Sequence, residues 1–469
     1  MSTRKNQLFL ISYVIIIVIL LSGCGQAQTV STSGQIQEQK NEQDNPFKDN
    51  NNLITVPTIA YINGFNDYYR IITKNMSSIN NSYITEKLDA DFLKWMCNNY
   101  DQKIAKQLAE SLKSGSYTSD FWYKSTGCTF HVLWDYYTHN SSDNLVYMDK
   151  TSADSIKLAF AGDLCLSENW YTINKYEESG EILNQCISQN LIDELNSADI
   201  FMLNNEFSFS TRGEPLNGKL YTFRTDPSRI SILKELGTDV VSVSNNHVYD
   251  YGADAFYDTL DTLKNNDIKY FGGGKNLDEA SRPVYYIVNG MKIGFVGASR
   301  AEKIRFTPGA GTDSPGILLT YDSTKYLDVI SSAKKECDYL VAYVHWGTED
   351  SHKVTDYQQT MGHQFIDAGA DVVVGGHPHV LQGIEYYNDK PIFYSLGDFW
   401  FNYETKETGA IELELSQTGV KNIKFLPCMQ ENYTTSLKTD PVETRRIYDF
   451  LQNLSFNAVI DDSGNIKKN

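Results

Sequence analysis

Residues that can bind a metal ion follow five short apolar runs of the sequence, each soon after its run ends. The runs cover 156–161, 200–203, 240–243, 339–344 and 372–374. The residues that follow these runs are, in order, Asp163, Asn204-Asn205-Glu206, Asn245-Asn246-His247, His345 and His377-Pro378-His379. A turn, a helix cap or a core histidine would explain any one of these groups. Because ligands of open α/β sheets bind beyond the carboxyl ends of the strands, five groups in the same position favour a clustered metal or catalytic site.

The residue types of this cluster fit a centre for two divalent ions. Imidazole nitrogen and carboxylate oxygen are the usual protein ligands of zinc, manganese and iron, and one carboxylate can bridge two ions with its two oxygens. Gly375 and Gly376 lack side chains, which lets the backbone turn sharply and aim His377 and His379 inward. Two neighbouring ions can clamp a phosphoryl group and generate hydroxide at neutral pH. The sequence therefore predicts a cofactor of two manganese, zinc or iron ions.

The elements that must position these residues alternate between strands and helices. Helical stretches at 182–195, 253–265 and 355–368 separate several of the apolar runs, as in α/β proteins. The later segments 383–387, 392–394, 410–415 and 423–425 are typical of strands alone, and Asn289-Gly290 predicts a hairpin between 284–288 and 292–297. Together they predict two packed sheets flanked by helices. Residues 53–150, with helical spacing at 88–96 and 104–112, predict a small, mainly helical domain of unknown role.

The first residues of the chain predict export. Arg4 and Lys5 precede an apolar run at 8–21, and Leu21-Ser22-Gly23-Cys24 is similar to the cleavage motif of bacterial lipoproteins. We expect a signal peptide at 1–23, lipidation of Cys24, and a flexible polar tether at 24–52. A plain signal peptide or an uncleaved anchor is the alternative. The expected location is the extracytoplasmic face of the bacterial cell membrane, with the membrane itself as a partner through the lipid anchor.

The charge and the cysteines limit the partners and the scaffold. The formal net charge is −18, and losing Arg4 and Lys5 with the signal peptide would leave −20. This negative charge argues against nucleic acid as a binding partner. An anionic substrate would have to be bound locally, by metal ions or a few arginines. Seven cysteines are too few for a disulfide scaffold. Cys97 and Cys128 are a possible pair, although the sequence does not fix the connectivity.

Six sequence blocks resemble the CapA family of poly-γ-glutamate capsule synthesis, within the calcineurin-like metallophosphoesterase superfamily. They are Gly162-Asp163-Leu164, Asn205-Glu206, Asn245 to Gly252, His345 to Glu349, Gly376 to Val380, and Tyr394 to Phe399. The resemblance covers about 156–425 and implies a four-layer α/β/β/α sandwich. We therefore expect a CapA-like domain at 151–430, followed by a C-terminal extension at 431–469.

The resemblance also implies roles for single residues. Asp163, Glu206 and His379 would surround one metal, and Glu206 would bridge to a second one. The second metal would be held also by Asn246, His345 and His377. His247 would be either a proton donor to a leaving group or a hydrogen-bond partner that orients Asp163 or Glu206.

Three positions depart from the superfamily pattern and leave catalysis open. Cys165 stands where the superfamily usually has a histidine, Glu206 where it has aspartate, and Asp398 where the family usually has asparagine. An altered first metal site could weaken metal binding without changing the fold. If the protein is an enzyme, the resemblance implies a metal-dependent, phosphoesterase-like hydrolase.

Two arginines near the expected rim are candidates for substrate binding. Arg224 and Arg300 would clamp a carboxylate or phosphate, or else form structural ion pairs. The function implied is a lipoprotein of capsule or poly-γ-glutamate synthesis, export or anchoring, with an anionic envelope polymer or the capsule-synthesis machinery as partner. The alternative is a polymer- or solute-binding lipoprotein without turnover.

Overall fold

A computed structural model of the chain describes residues 64–148, 155–301 and 306–469. The predicted signal peptide at 1–23, Cys24 and the predicted tether lie outside the described residues. Within the described part of the chain, no helix is both long and apolar enough to cross a membrane.

The helices of the described residues include a group before residue 140 and a series distributed among the later strands. They are α1 (Phe65–Lys74), α2 (Ser82–Lys87), α3 (Ala90–Asn99), α4 (Ile104–Ser114), α5 (Phe121–Thr126), α6 (Phe130–Thr138), α7 (Tyr171–Glu178), α8 (Gln189–Asn196), α9 (Ile230–Glu235), α10 (Gly252–Asn265), α11 (Leu277–Ala280), α12 (Thr324–Lys335), α13 (Asp356–Asp367) and α14 (Pro441–Leu454). Short 3-10 turns cover Met76–Ser78, Leu183–Gln185 and Pro227–Arg229.

The strands overlap every predicted run, although β17 and β18 are longer than predicted and several short strands were not predicted. They are β1 (Leu145–Tyr147), β2 (Ile156–Leu164), β3 (Ile200–Asn205), β4 (Ser208–Phe209), β5 (Arg224–Thr225), β6 (Val240–Ser242), β7 (Lys269–Phe271), β8 (Gly273–Gly274), β9 (Val284–Val288), β10 (Met291–Ser299), β11 (Gly316–Ile317), β12 (Tyr339–His345), β13 (Val372–Gly376), β14 (Ile384–Tyr387), β15 (Lys390–Phe393), β16 (Asp398–Trp400), β17 (Lys406–Ser416), β18 (Gly419–Glu431), β19 (Thr434–Leu437), β20 (Ala458–Ile460) and β21 (Ile466–Lys468).

Two large mixed sheets form the centre of the fold. One has the order β1-β9-β10-β12-β13-β15-β14, and the other has the order β19-β18-β17-β2-β3-β6-β7, with β16 paired to β2. The strands that precede the candidate ligands are parallel to their neighbours: β2 to β3, β3 to β6, and β12 to β13. Their carboxyl ends therefore lie at one edge of each sheet.

Side-chain alternation along the strands builds the layers. Leu158 and Phe160 of β2 pack between the two sheets with Val341 and Tyr343 of β12, whereas Ala159 faces the opposite way. The outer face of the β2 sheet is covered by α8, α9 and α10, and the outer face of the β12 sheet by α12 and α13. Because successive strand residues point to opposite faces, each sheet buries both of its sides. The result is the predicted four-layer α/β/β/α sandwich.

The helical region before residue 140 has its own core, built around Phe92 and Trp122. Hydrogen bonds, ion pairs and the strand that follows it join this region to the sheets. The Thr129 N–H donates to the Gly290 carbonyl at the β9–β10 hairpin (2.8 Å). A buried ion pair connects Lys292 of β10 with Asp135 of α6 (2.7 Å), and β1 lies parallel beside β9. The helices thus pack against the edge of the β12 sheet.

Two local predictions are wrong. The segment 182–195 is not one helix: a 3-10 turn ends at Gln185, and α8 begins only at Gln189, because Cys186 and Ile187 turn into the core. The suggested Cys97–Cys128 disulfide does not form. Cys97 is instead buried in the core of the helical region, where it packs as a small apolar side chain.

The last part of the chain adds structure that the sequence analysis did not assign. Strand β19 extends the β2 sheet, α14 packs its Ile447 and Leu451 into the core between the sheets, and β20 pairs with β21. Helix α14 begins with a strong local signal. Asp440 accepts hydrogen bonds from the N–H groups of Val442 and Glu443, and Pro441 occupies the first turn.

Candidate metal centre

The carboxyl ends of strands from both large sheets meet at the candidate site. Asp163 lies opposite Asn204 in the β2–β3 register, and His345 lies opposite Gly376 in the β12–β13 register. The backbone N–H of His377 donates to Asp163 Oδ2 (2.9 Å) and thereby connects the two sheets. The fold thus brings all five predicted groups to one place.

Three overlapping sets of ligand atoms occur within this place. Asp163, Glu206 and His379 form one set, and Glu206, His345 and His377 form another, with the atoms of each set within 4.8 Å of one another. Glu206 belongs to both. A further set joins His377 and His379 to Glu349, a more exposed residue that the sequence analysis did not single out as a ligand. The first two sets bring together residues that the family resemblance named as ligands.

The carboxylates of the centre are buried close to one another. Asn204 Nδ2 donates to Asp163 Oδ1 (2.8 Å) and to Glu206 Oε2 (3.0 Å), so that one amide holds both. Burial, followed by the charge of Glu206, raises the pKa of Asp163 to about 6. Burial likewise raises the pKa of Glu206 to about 7. A buried carboxylate with a raised pKa lacks a compensating positive charge.

Two buried polar atoms aim into the centre without a hydrogen-bond partner among the described residues: Glu206 Oε1 and His377 Nδ1. Glu206 Oε1 lies 3.5 Å from His345 Nε2 and 3.7 Å from His379 Nε2. Such atoms are costly to bury unless something binds them. A divalent cation would satisfy both, and oxygen with imidazole nitrogen is a donor set that zinc, manganese and iron accept. The residues of the centre therefore fit divalent metal ions, the cofactor that the fold implies.

The three histidines of the centre differ in their electrostatics. Burial lowers the pKa of His345 to about 3 and also lowers that of His377, so both imidazoles are neutral, as metal ligands must be. Burial acts in the same direction on His379, but the carboxylates of Asp398, Glu206 and Asp163 outweigh it and raise its pKa to about 10. His379 Nδ1 bonds to Asp398 Oδ1 (2.8 Å), which holds the ring in place.

The sharp backbone turn expected at Gly375 and Gly376 lies instead at the two histidines that follow them. Gly375 and Gly376 are part of strand β13, while His377 and His379 themselves have left-handed φ angles of 94° and 58°. The glycines are needed for close approach, because a Cβ on Gly376 would lie 2.5 Å from Asp163 Oδ1. Positive φ is rare for residues other than glycine and concentrates at functional sites.

His247 is held by neighbours other than the predicted ones. Its Nδ1 bonds to Asp250 Oδ2 (2.7 Å), and its ring packs on Phe223 at 4.4 Å. Asp250 is fully buried and also forms an ion pair with Lys219 (2.7 Å). Nδ1 of His247 is therefore bound to Asp250 and does not orient Asp163 or Glu206. Asp250 lies three residues after His247, so this partner was within reach of local reasoning.

The remaining predicted residues lie as follows. Asn246 Oδ1 is 2.8 Å from His345 Nε2, inside the centre. Arg224 donates to the carbonyls of Arg212 (3.0 Å) and Gly213 (2.9 Å) and stacks over Tyr251, so its guanidinium holds a loop together. Cys165 is buried in the core of the β2 sheet's outer face and belongs to none of the ligand sets of the described residues.

Arg300 lies closer to the centre than Arg224 does. Its backbone N–H donates to the carbonyl of His345 (2.8 Å), and its guanidinium lies 4.0 Å from the ring of Tyr357. Its Nε is buried and lacks a hydrogen-bond partner within the described part of the chain. Both predicted arginines keep a buried Nε without a partner among the described residues, and Arg300 is the one whose backbone bonds to the candidate ligand His345.

A four-layer sandwich with carboxylate and histidine ligands at the strand ends defines a metallophosphoesterase-like protein. Residues 157–403, more than half of the chain, match the family described as bacterial capsule synthesis protein PGA_cap, which is part of that superfamily. The chain belongs to this family.

Curated relatives carry related names. The chain is 33% identical to the capsule biosynthesis protein CapA of Bacillus anthracis, over 47% of this chain and 54% of that protein. It is 32% identical to the PGA biosynthesis protein CapA of Bacillus subtilis, over 48% of this chain and 60% of that protein. The matches thus span little more than half the length of these relatives. The solved structure of TT1561 from Thermus thermophilus covers 59% of this chain at 10% identity and a TM-score of 0.32, which is too distant to support an inference.

Proposed function

We propose that this protein acts at the cell surface in the synthesis, export or anchoring of a capsule or of poly-γ-glutamate, through a two-metal, hydrolase-type centre. One observation carries the metal centre: Glu206 is shared by two sets of ligand atoms, and its Oε1 is buried without a partner among the described residues. A carboxylate in this position can bridge two ions. The names of the relatives from B. anthracis and B. subtilis support the capsule role.

The residues of the chain divide the work of such a centre. Asp163, Glu206 and His379 would hold one ion, and Glu206, His345, His377 and Asn246 the other. When bound, the ions would polarise the scissile bond and supply hydroxide at neutral pH. Asp250 fixes Nδ1 of His247, which leaves Nε2 as the nitrogen that gives a proton to a leaving group. Arg300, with its unsatisfied Nε, would hold an anionic group of the substrate.

The first experiment is elemental mass spectrometry of the purified full chain after incubation with manganese, zinc and iron. We expect about two ions per chain, because the ligand sets are two and share one carboxylate. The variant His377→Ala/His379→Ala should lose them. His139→Ala is the matched control, since His139 is exposed and outside the ligand sets, and it should keep the metal. A wild-type chain that stays metal-free would contradict the proposal.

Turnover needs a separate test. Hydrolysis of bis(p-nitrophenyl) phosphate by the metal-loaded chain, lost in His247→Gln without loss of metal, would support the hydrolase. The departure at Cys165 motivates the alternative, a polymer- or solute-binding protein without turnover: its side chain lies in the apolar core, so one ion would lack the protein ligand that the superfamily usually supplies there. Full metal loading without hydrolysis of phosphoesters, esters or amides would favour this alternative.

The surface location rests on the N-terminal sequence and is tested through Cys24. Labelling cells with a palmitate analogue should modify the wild-type chain and leave Cys24→Ala unlabelled. Equal labelling of both chains would contradict the lipid anchor, and the metal centre would be unaffected by that result.

A further inference from the structure

Four exposed tyrosines surround one tryptophan on the surface beside the candidate metal centre. We call Trp170, Tyr171, Tyr221, Tyr403 and Tyr433 the tyrosine platform. The tyrosines are 37%, 54%, 55% and 42% exposed, in that order. The ring centroid of Tyr171 lies 4.9 Å from that of Trp170, 4.8 Å from that of Tyr403 and 5.9 Å from that of Tyr433. Exposed aromatic rings grouped in this way mark interaction surfaces.

The tyrosine platform is continuous with the metal centre. Trp170 packs on Phe223 at 4.9 Å, and Phe223 packs on His247 at 4.4 Å. On the other side, the Trp170 indole N–H donates to the carbonyl of Phe401 (2.7 Å), whose ring lies 4.5 Å from His379. One layer of aromatic side chains therefore separates the platform from the candidate proton donor and from a candidate metal ligand. A polymer that lies on the platform and extends past this layer would reach the centre.

Tyr433 occupies a position that the backbone disfavours. It forms with Asn432 the two-residue turn between β18 and β19, and both residues have positive φ, 52° for Asn432 and 64° for Tyr433. Turns of this type favour glycine at the second position, where the hairpin Asn289-Gly290 has it. A bulky aromatic residue at positive φ is strained, and such strain concentrates at functional positions. The side chain of Tyr433 completes the platform.

The charges next to the tyrosine platform decide between kinds of polymer. Glu168 and Glu404 flank it in sequence, and the nearby Lys406 is already paired with Asp350 (2.8 Å) and with Glu404. Lys438, close to Tyr433, is paired with Glu431. A polyanion such as poly-γ-glutamate or a nucleic acid would meet carboxylates here with few free cations to neutralise it. The surface therefore suits an uncharged, ring-containing stretch of a polymer.

We propose that the tyrosine platform binds the pyranose rings of an envelope glycan and presents the chain to the metal centre. Pyranose rings expose C–H groups on a face that packs on aromatic rings, and their hydroxyl groups can bond to tyrosine hydroxyls. Tyrosine offers both, which phenylalanine or leucine would not. This inference rests on the proposed function, because it names the substrate class of the same centre.

Isothermal titration of the full chain with chitohexaose and with cellohexaose tests the platform. We expect the chain to bind at least one of these oligosaccharides. Tyr433→Gly and Tyr171→Ala should each weaken the binding by about fivefold or more, the effect of losing one stacked ring. Tyr433→Gly suits this purpose because glycine relieves the strained turn, so the fold should be kept. Asp389→Gly is the matched control, since Asn388-Asp389 is another hairpin turn with positive φ, 49° and 63°.

Other outcomes overturn the inference. Absence of binding to both oligosaccharides would do so, as would binding that neither platform variant weakens. Binding of poly-γ-glutamate or of phosphatidylglycerol vesicles that depends on the platform, without oligosaccharide binding, would assign the surface to another partner. The variant His377→Ala/His379→Ala should keep oligosaccharide binding while losing metal. Failure of the platform is therefore distinguishable from failure of the metal centre.

Discussion

Two clusters of this fold, each built around one carboxylate, differ in how that carboxylate is satisfied. At the junction of the helical region with the β12 sheet, Asp338 accepts hydrogen bonds from His131 (2.7 Å), from the Thr129 hydroxyl (2.6 Å) and from the Lys292 N–H (2.8 Å). In the metal centre, Glu206 receives one hydrogen bond, from Asn204, and its other oxygen has no partner among the described residues.

The electrostatic consequences run in opposite directions. Burial would raise the pKa of Asp338, but His131 and the hydrogen bonds outweigh it and lower the pKa. Burial raises the pKa of Glu206 to about 7, with no partner strong enough to reverse it. The first carboxylate is complete without a ligand, whereas the second is not. The comparison teaches how to separate a structural carboxylate from one that is built to bind a cation.

Removing the satisfied carboxylate should have the largest effect. Asp338→Ala leaves His131, Thr129 and the Lys292 N–H without their acceptor in a mostly buried place. We expect the free energy of unfolding to fall by about 3–5 kcal/mol. Urea denaturation followed by far-UV circular dichroism measures this loss. A change within about 0.5 kcal/mol, the usual range of a surface substitution, would remove the contrast with the metal centre.

Adding metal should stabilise the chain by a similar amount through the incomplete cluster. At free metal concentrations of about 100–1,000 times Kd, binding to the folded state alone contributes about 3–4 kcal/mol. We expect this gain for the wild-type chain and its absence in Glu206→Gln, which removes the shared carboxylate. Differential scanning calorimetry with manganese, zinc or EDTA measures it. Thr129→Val, at the junction, should keep the gain, and equal gains in all three chains would point to non-specific binding.

In the metal-free protein, Glu206 should lower the free energy of unfolding as the pH rises. The carboxylate of an ordinary ion pair has the opposite effect. Because its pKa rises from 4.5 to about 7 on folding, the folded state binds the proton more tightly. Its contribution to stability is therefore complete below pH 4.5 and is lost as the pH rises through about 7. Between pH 4.5 and 7, the free energy of unfolding of the EDTA-treated wild-type chain should fall by up to about 3 kcal/mol relative to that of Glu206→Gln. Parallel curves for the two chains, from urea unfolding between pH 4 and 8, would contradict the shift.

Much of this molecule was predictable because its signals are local. The apolar runs located most strands of the two large sheets, although β17 and β18 extend well beyond 410–415 and 423–425. The polar groups that follow the runs meet as expected. The break before α8 was missed because Cys186 and Ile187 continue the apolar spacing while turning into the core. Helix α14 was missed although Asp440-Pro441 is a local start signal.

Partners distant in sequence were beyond this reasoning. Asp398 was noted only as a departure from the family pattern, yet it bonds to His379 because β16 pairs with β2 and brings the two together. Asn204 appeared only as a neighbour of Glu206, yet its amide bonds to both carboxylates. The tyrosine platform draws on segments around residues 170, 221, 403 and 433, and only the folded chain places them side by side.

The smallest effect should come from one hydrogen bond of the satisfied cluster. Thr129→Val keeps the shape of the side chain but removes the hydroxyl that donates to Asp338 Oδ2. Asp338 keeps its bonds from His131 and from the Lys292 N–H, so we expect a loss of about 1–2 kcal/mol, in the range for one hydrogen bond to a charged group. A double-mutant cycle with Asp338→Ala measures the coupling. A coupling energy near zero would mean that the Thr129 hydroxyl does not stabilise Asp338. The carboxylate at the junction would then be less well satisfied than the comparison with Glu206 assumes.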